Sequence, residues 1–195
     1  MSIQLAIRQP TLADRLTPNV DARWRDAALV IGASLLVALS AKISVMLPFS
    51  PVPVTGQTFA VLLVGAVLGW RRGSAALALY LAQGAAGLPV FAQSPSSIAT
   101  LLGPTGGYLL AFPLAAALTG FLAERGWDRR FGTMLLVMLA GNAVIYALGL
   151  IWLSVFVPRA LLLETGLLPF LAGDVAKAIL ATLLLPTIWR WVGRR

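Results

Sequence analysis

Asp174 and Lys177 are an acid and a base three residues apart inside an apolar stretch that is long enough to form a membrane helix. Residues at this spacing lie on one face of a helix. A lone charged side chain at mid-bilayer costs roughly 2.5–3.5 kcal/mol and ordinarily faces a partner or a cavity inside the protein. Two interpretations are open: the pair neutralises itself and fixes helix packing, or it recognises a polar ligand.

Four other polar side chains lie within or at the ends of apolar segments and are candidates for contact with the same ligand. Gln57 and Gln83 carry amides, which must find hydrogen-bond partners in lipid. Bonding between helices is the alternative role for both amides. Tyr80 and Tyr146 are either interfacial anchors or walls of a pocket.

Residues 103–107 read Gly-Pro-Thr-Gly-Gly and have only a superficial likeness to a phosphate-binding loop. A nucleotide-binding loop needs a Lys followed by Ser or Thr before its helix, and none follows here. We therefore predict no ATP site. Free backbone N–H groups at the start of a helix attract anions, so Thr105, Gly106 and Gly107 are predicted to hold a ligand carboxylate.

The composition is that of an integral membrane protein. The chain has 195 residues, of which 59% are hydrophobic and 11% charged, whereas about a quarter of the residues of a soluble domain are charged. Cysteine and histidine are both absent, which excludes disulfides, thiol nucleophiles, soft-metal sites and imidazole chemistry. Asp174 has no second carboxylate in its segment, and we predict neither an enzyme nor a bound cofactor or metal.

The apolar runs predict an all-α protein with six membrane-spanning helices. Residues 1–24 are predicted to form a cytoplasmic arm, residues 25–195 form the membrane domain, and residues 71–73 form a tight basic turn. The predicted spans cover residues 26–47, 57–70, 74–86, 106–123, 131–157 and 167–191.

The arginines fix the predicted orientation. They cluster before the first span and after the second, fourth and sixth, whereas the opposite side has only Arg159. By the positive-inside rule both termini are cytoplasmic. The placement of these arginines at span ends accounts for the net charge of +8. The sequence lacks the basic stripe with interleaved aromatic residues that is typical of nucleic-acid binding.

Small residues recur at four-residue spacing in the first span, which permits close contact with another helix. They are Ala28, Gly32, Ser34 and Ala38. We expect them to form one smooth face, suited to packing against another protein.

Four motifs, in this order along the chain, resemble the BioY family of biotin-specific substrate-binding (S) components of energy-coupling factor (ECF) transporters. They are Pro-Val-Pro-Val-Thr-Gly-Gln-Thr-Phe at 51–59, Leu-Tyr-Leu at 79–81 with Gly-Leu-Pro-Val-Phe at 87–91, Gly-Pro-Thr-Gly-Gly-Tyr at 103–108, and Gly-Asp-Val-Ala-Lys at 173–177. The resemblance implies the ECF S-component fold, with six helices in the lipid bilayer of the bacterial inner membrane. It also implies biotin binding near the outer surface.

The same resemblance implies partners. An S component works with a transmembrane coupling subunit and two ATPase subunits, and small residues of its first helix dock the coupling subunit. Some members are thought to work without these partners, and formation of a homo-oligomer stays open.

Biotin carries a ureido group at one end and a carboxylate at the other, separated by roughly 8–10 Å on ordinary bond lengths. Two residues three apart on a helix rise only about 4.5 Å. We therefore expect Asp174 to accept a ureido N–H, Lys177 to reach the ureido carbonyl or brace Asp174, and the carboxylate to point toward the outer loops. The alternatives are a proton-coupled small-solute carrier, with Asp174 as its relay, and a purely structural subunit.

Overall fold

The protein is mostly helical. The computed structural model describes residues 9–17, 21–93 and 96–192. The helices are α1 (Leu12–Leu16), α2 (Ala22–Lys42), α3 (Gln57–Leu68), α4 (Trp70–Ala85), α5 (Ile98–Leu102), α6 (Gly106–Ala123), α7 (Phe131–Leu153), α8 (Leu162–Gly166) and α9 (Leu168–Val192). Two short strands, β1 (Ser44–Val45) and β2 (Val54–Thr55), pair antiparallel between α2 and α3.

Four helical segments of the described chain are long and apolar enough to cross a membrane. They are Ala22–Lys42, Gly106–Ala123, Phe131–Leu153 and Arg159–Val192, and Gln57–Leu68 is a shorter apolar helix. The chain is thus a multi-pass membrane protein, as its composition predicts.

Helix α6 lies at the centre and packs against α3, α4 and α7. Glycines permit these close contacts, because a Cβ on Gly65 would lie 2.4 Å from the Ala116 carbonyl oxygen. A Cβ on Gly120 would lie 2.4 Å from the backbone nitrogen of Trp70. Gly65 and Gly120 therefore serve internal helix packing.

The turn between α3 and α4 lies at Gly69 and not at residues 71–73. Gly69 has φ +84°, a left-handed conformation that glycine adopts without steric cost. Residues 71–73 lie inside α4, where a Cβ on Gly73 would approach the Cα of Gly65 to 2.9 Å. Gly73 is thus a packing residue, and the prediction of a turn there is wrong.

The predicted amino-terminal arm is partly structured. Within it, Thr11 caps α1, and Leu12 and Ala13 are buried. Buried Arg72 of α4 donates to Asp14 at 2.8 Å and to Thr11 Oγ1 at 3.0 Å. Helix α1 is therefore fastened to the arginine-rich end of the bundle, a long-range contact that the polar local sequence does not reveal.

Three predicted spans, 26–47, 57–70 and 131–157, are longer than the observed helices. Helix α3 ends at Leu68, because the chain turns at Gly69. Helix α2 ends at Lys42, since the chain then enters β1, whose Ser44 pairs with Thr55. Helix α7 ends at Leu153 and is followed by turns. The predicted span 106–123 coincides with α6.

Candidate ligand-binding site

A cavity lies at the end of the bundle where α2, α4 and α7 end and where α3, α6 and α9 begin. This end is opposite the end of the bundle that carries Arg71 and Arg72 of α4 and Arg125, Arg129 and Arg130 after α6. The empty space in and around the cavity is about 620 Å³, a figure that includes the open solvent at its mouth. Its walls are mainly apolar and include Phe91, Leu109, Phe112, Ile145 and Phe170.

Asp174 and Lys177 of α9 both line the cavity and are the only charged residues among its described lining. Asp174 is only 4% exposed. The Lys177 ammonium lies 2.8 Å from Asp174 Oδ1. The acid and base therefore lie together on one face of α9, as their spacing predicts, and the structure places that face at the cavity.

Lys177 uses its three N–H donors within the protein. It donates to Asp174 Oδ1 at 2.8 Å, to the Thr55 carbonyl at 2.8 Å and to Thr58 Oγ1 at 2.9 Å. An ammonium group has three donors and no acceptor. In this arrangement Lys177 braces Asp174 and α3, leaving none of its hydrogens for a ligand.

Asp174, unlike Lys177, can form one further hydrogen bond with a ligand. Its Oδ1 accepts from Lys177 and from Thr58 Oγ1 at 2.9 Å, and its Oδ2 accepts from the Tyr146 hydroxyl of α7. A carboxylate has about four acceptor positions. Three protein donors leave room on Oδ2 for one further N–H or O–H donor from the cavity.

Gln57 and Tyr80 form a second polar pair beside the cavity. Gln57 lines it and is 3% exposed, whereas Tyr80 is fully buried behind it. Gln57 Nε2 donates to the Tyr80 hydroxyl at 2.6 Å. The Tyr80 hydroxyl donates to the Val90 carbonyl at 3.2 Å, in the segment that leads to Phe91.

Of the residues predicted to hold a carboxylate, Thr105 lines the cavity and two glycines do not. A Cβ on Gly106 would lie 1.9 Å from the Leu101 carbonyl oxygen, and one on Gly107 would lie 2.2 Å from Trp152 Cβ. The structure thus gives both glycines a packing role, because α5 and α7 approach α6 closely there.

Gln83 is half-buried on α4 and lies outside the cavity lining. Its Oε1 is buried and has no hydrogen-bond partner among the described atoms. Within the described chain the structure therefore brings together Asp174, Lys177, Tyr146, Gln57 and Thr105 at the cavity, while Tyr80 supports it from behind.

The small residues of α2 do not form one face. Ala28 and Gly32 are exposed, and a Cβ on Gly32 would meet nothing within 4 Å. Ser34 is fully buried and Ala38 is 9% exposed. Residues two apart on a helix point in different directions, so the step from Gly32 to Ser34 crosses from the outer surface to the core.

Thr58 and Phe91 are site residues that sequence reasoning did not single out. Thr58 connects the acid to the base, and its one local signal is its place beside Gln57 within the motif 51–59. Phe91 is 1% exposed, and Lys42 donates to its carbonyl at 2.9 Å. Lys42 thus helps to hold Phe91 in the cavity wall.

The BioY family model matches residues 13–194. The probable biotin transporter BioY of Pyrococcus horikoshii is 40% identical over 160 residues, which cover 82% of this chain and 93% of that protein. The biotin transporter BioY of Thermotoga maritima is 41% identical over 150 residues, covering 76% and 86%. These relatives are transporters, and no enzyme family is indicated.

A solved structure has the same fold. The crystal structure at 2.1 Å of the S-component for biotin from an ECF-type ABC transporter matches with a TM-score of 0.76 and 27% identity. The match covers 86% of this chain and 92% of the other. By its sequence over nearly its whole length and by its fold, the chain belongs to the BioY family.

Proposed function

We propose that this protein is the biotin-binding membrane component of an ECF-type importer. The observation that carries the proposal is the buried Asp174, which faces an apolar cavity and retains acceptor capacity on Oδ2. The fused rings of biotin are mostly apolar, and its ureido group presents N–H donors. A mainly apolar cavity with few fixed polar groups suits such a ligand.

In this proposal Asp174 accepts one ureido N–H of biotin, while Lys177 and Thr58 hold the Asp174 carboxylate in position. The valerate chain runs along the apolar walls toward Gln93 and Thr105, two polar residues of the cavity lining. The hydrogen bonds of Lys177 support this orientation of the ligand. All three of its N–H donors are bonded within the protein, and the described lining contains no other cation that could pair with the ligand carboxylate.

Six helices cross the bacterial inner membrane in the proposed topology: α2, α3, α4, α6, α7 and α9. Both termini are cytoplasmic and the cavity opens outward. The arginines gathered at the end of the bundle opposite the cavity support this orientation.

The proposed partners are a transmembrane coupling subunit and ATPase subunits. Ala28 and Gly32, which are exposed on α2, are the proposed docking residues. A Cβ on Gly32 would meet nothing within 4 Å. Gly32→Leu should therefore leave the isolated protein stable and reduce its co-purification with a co-expressed coupling subunit.

The primary test is thermal unfolding of the detergent-solubilised protein with biotin or with other vitamins. A ligand at 100 times its Kd stabilises the folded state by about 2.7 kcal/mol. We expect biotin alone to raise the Tm. The absence of a shift at millimolar biotin, with a protein that unfolds cooperatively, would overturn the proposal.

Membership of the BioY family does not favour the proton-coupled carrier. The two mechanisms differ in what uptake requires. A proton-coupled carrier loses uptake when a protonophore dissipates the gradient and needs no ATPase subunits, whereas ECF-driven uptake stops when the ATPase subunits are inactivated.

A further inference from the structure

The bonds of the Tyr80 hydroxyl determine which way the Gln57 side-chain amide faces. Tyr80 is fully buried, and its oxygen lies 2.6 Å from Gln57 Nε2 and 3.2 Å from the Val90 carbonyl oxygen. A carbonyl can only accept a hydrogen bond, and a hydroxyl has a single proton. The Tyr80 proton is therefore committed to Val90.

It follows that the Tyr80 oxygen can only accept from Gln57. The amide group nearest to it must be the NH₂, because an amide oxygen placed there would face another acceptor. Nε2 is thus held against Tyr80, and Oε1 is the amide atom that Gln57 can offer to the cavity it lines.

We propose that Gln57 Oε1 is a second acceptor for a ligand N–H group and that Tyr80 is the positioning residue that orients it. This inference rests on the proposed function. A cyclic urea carries two N–H donors on opposite sides of its carbonyl, so two acceptors are needed to satisfy both. Asp174 Oδ2 supplies one acceptor and Gln57 Oε1 supplies the other.

The alternative is that Tyr80 is only a structural link between α4 and the Val90 segment. A double-mutant cycle separates the two roles, since residues that act through one another have non-additive effects. The variants are Tyr80→Phe, Gln57→Ala and their combination. The measurement is the biotin Kd of each purified protein, with its Tm recorded separately.

Gln57→Ala is expected to weaken biotin binding about tenfold, which corresponds to about 1.4 kcal/mol. Tyr80→Phe frees the amide to rotate and is expected to weaken binding about three- to tenfold. The double variant should bind no more weakly than Gln57→Ala alone. The inference is overturned if the fold-changes in Kd of the two single variants multiply in the double variant. It is also overturned if Tyr80→Phe leaves the Kd unchanged.

Tyr108→Phe is the matched control, because its hydroxyl donates to the Gly166 carbonyl and not to Gln57. Its effect on Kd should multiply with that of Gln57→Ala. If Tyr80→Phe does not fold, the Kd of Gln57→Met alone tests whether Gln57 supplies the second acceptor. It keeps the size of the side chain but lacks the acceptor, and an unchanged Kd for that variant overturns the inference.

The two proposals fail in different ways. If the wild-type protein does not bind biotin, the proposed function is wrong. If the wild type binds biotin but the cycle is additive, only the role given to Gln57 and Tyr80 is wrong.

Discussion

The Tyr146 hydroxyl donates a hydrogen bond to Asp174 Oδ2 across the interface between α7 and α9. On the other side of the same carboxylate, Thr58 and Lys177 bond to Oδ1. The carboxylate is thus held from three helices at once. Because its orientation is fixed before a ligand arrives, little ordering of this group is needed on binding.

Removal of the Tyr146 hydroxyl should loosen this carboxylate without removing its charge. A hydrogen bond to a charged group contributes about 1.5–3 kcal/mol. We expect Tyr146→Phe to lower thermal stability and to weaken biotin binding by about tenfold, as measured by Tm and by equilibrium binding. Tyr108→Phe, which removes a bond to a neutral carbonyl, should affect binding less. The reverse order of the two Kd values would contradict the role given to Tyr146.

Asp174→Asn and Lys177→Ala should each abolish biotin binding while membrane insertion persists. Removing one partner of a buried ion pair leaves the other charge uncompensated, at a cost of about 3–5 kcal/mol. Equilibrium binding of labelled biotin measures the loss, and the yield of membrane-extracted protein measures insertion. Glu164→Gln makes the same type of change as Asp174→Asn at an exposed position of α8 and should bind normally. Normal binding by both site variants would place the ligand elsewhere.

Biotin methyl ester should bind nearly as well as biotin. The three N–H donors of Lys177 are bonded within the protein, and the described cavity lining contains no other cation. The ligand carboxylate therefore has no ion pair to lose on esterification. Competition between ester and labelled biotin gives the affinity ratio. A loss above about 100-fold, or about 2.7 kcal/mol, would instead indicate that Lys177 pairs with the carboxylate.

Asp128 should make the stability of the protein depend on pH. It lies in the single turn of 3-10 helix Trp127–Arg129, outside the membrane-spanning helices, and burial raises its pKa to about 6 from 3.8. Between these values the folded state holds a proton that the unfolded state has lost, so stability falls as pH rises. The stabilisation is complete below pH 3.8 and is lost above about pH 6.

The measurement is the Tm in detergent from pH 4 to pH 8. Asp128→Asn carries no titrating group at this position and should flatten the decline between pH 4 and 6. It should also be more stable than the wild type at pH 7, since it buries no charge. Asp21→Asn, at an exposed helix cap, is the matched control and should keep the wild-type decline. A wild-type decline that persists in Asp128→Asn would assign the titration to another group.

The structure separates what helical periodicity can predict from what it cannot. The position of Asp174 and Lys177 on one face follows from a spacing of three residues, and the 2.8 Å contact agrees with it. By contrast, Ser34 and Ala38 share the spacing pattern of Ala28 and Gly32 but lie in the core. Which face of α2 is buried depends on how α3 and α4 pack against it.

Composition and local pattern by themselves determined a helical membrane protein, its arginine-rich end and an acid–base pair within one helix. Only the tertiary structure decided that Thr58 and Tyr146 hold Asp174, that Tyr80 stands behind Gln57, and that Gln83 lies away from the cavity. The physical reason is distance along the chain. A contact within a helix is set by its regular geometry, whereas a contact between helices depends on their relative rotation and depth. Those are fixed by packing along the whole length of the bundle.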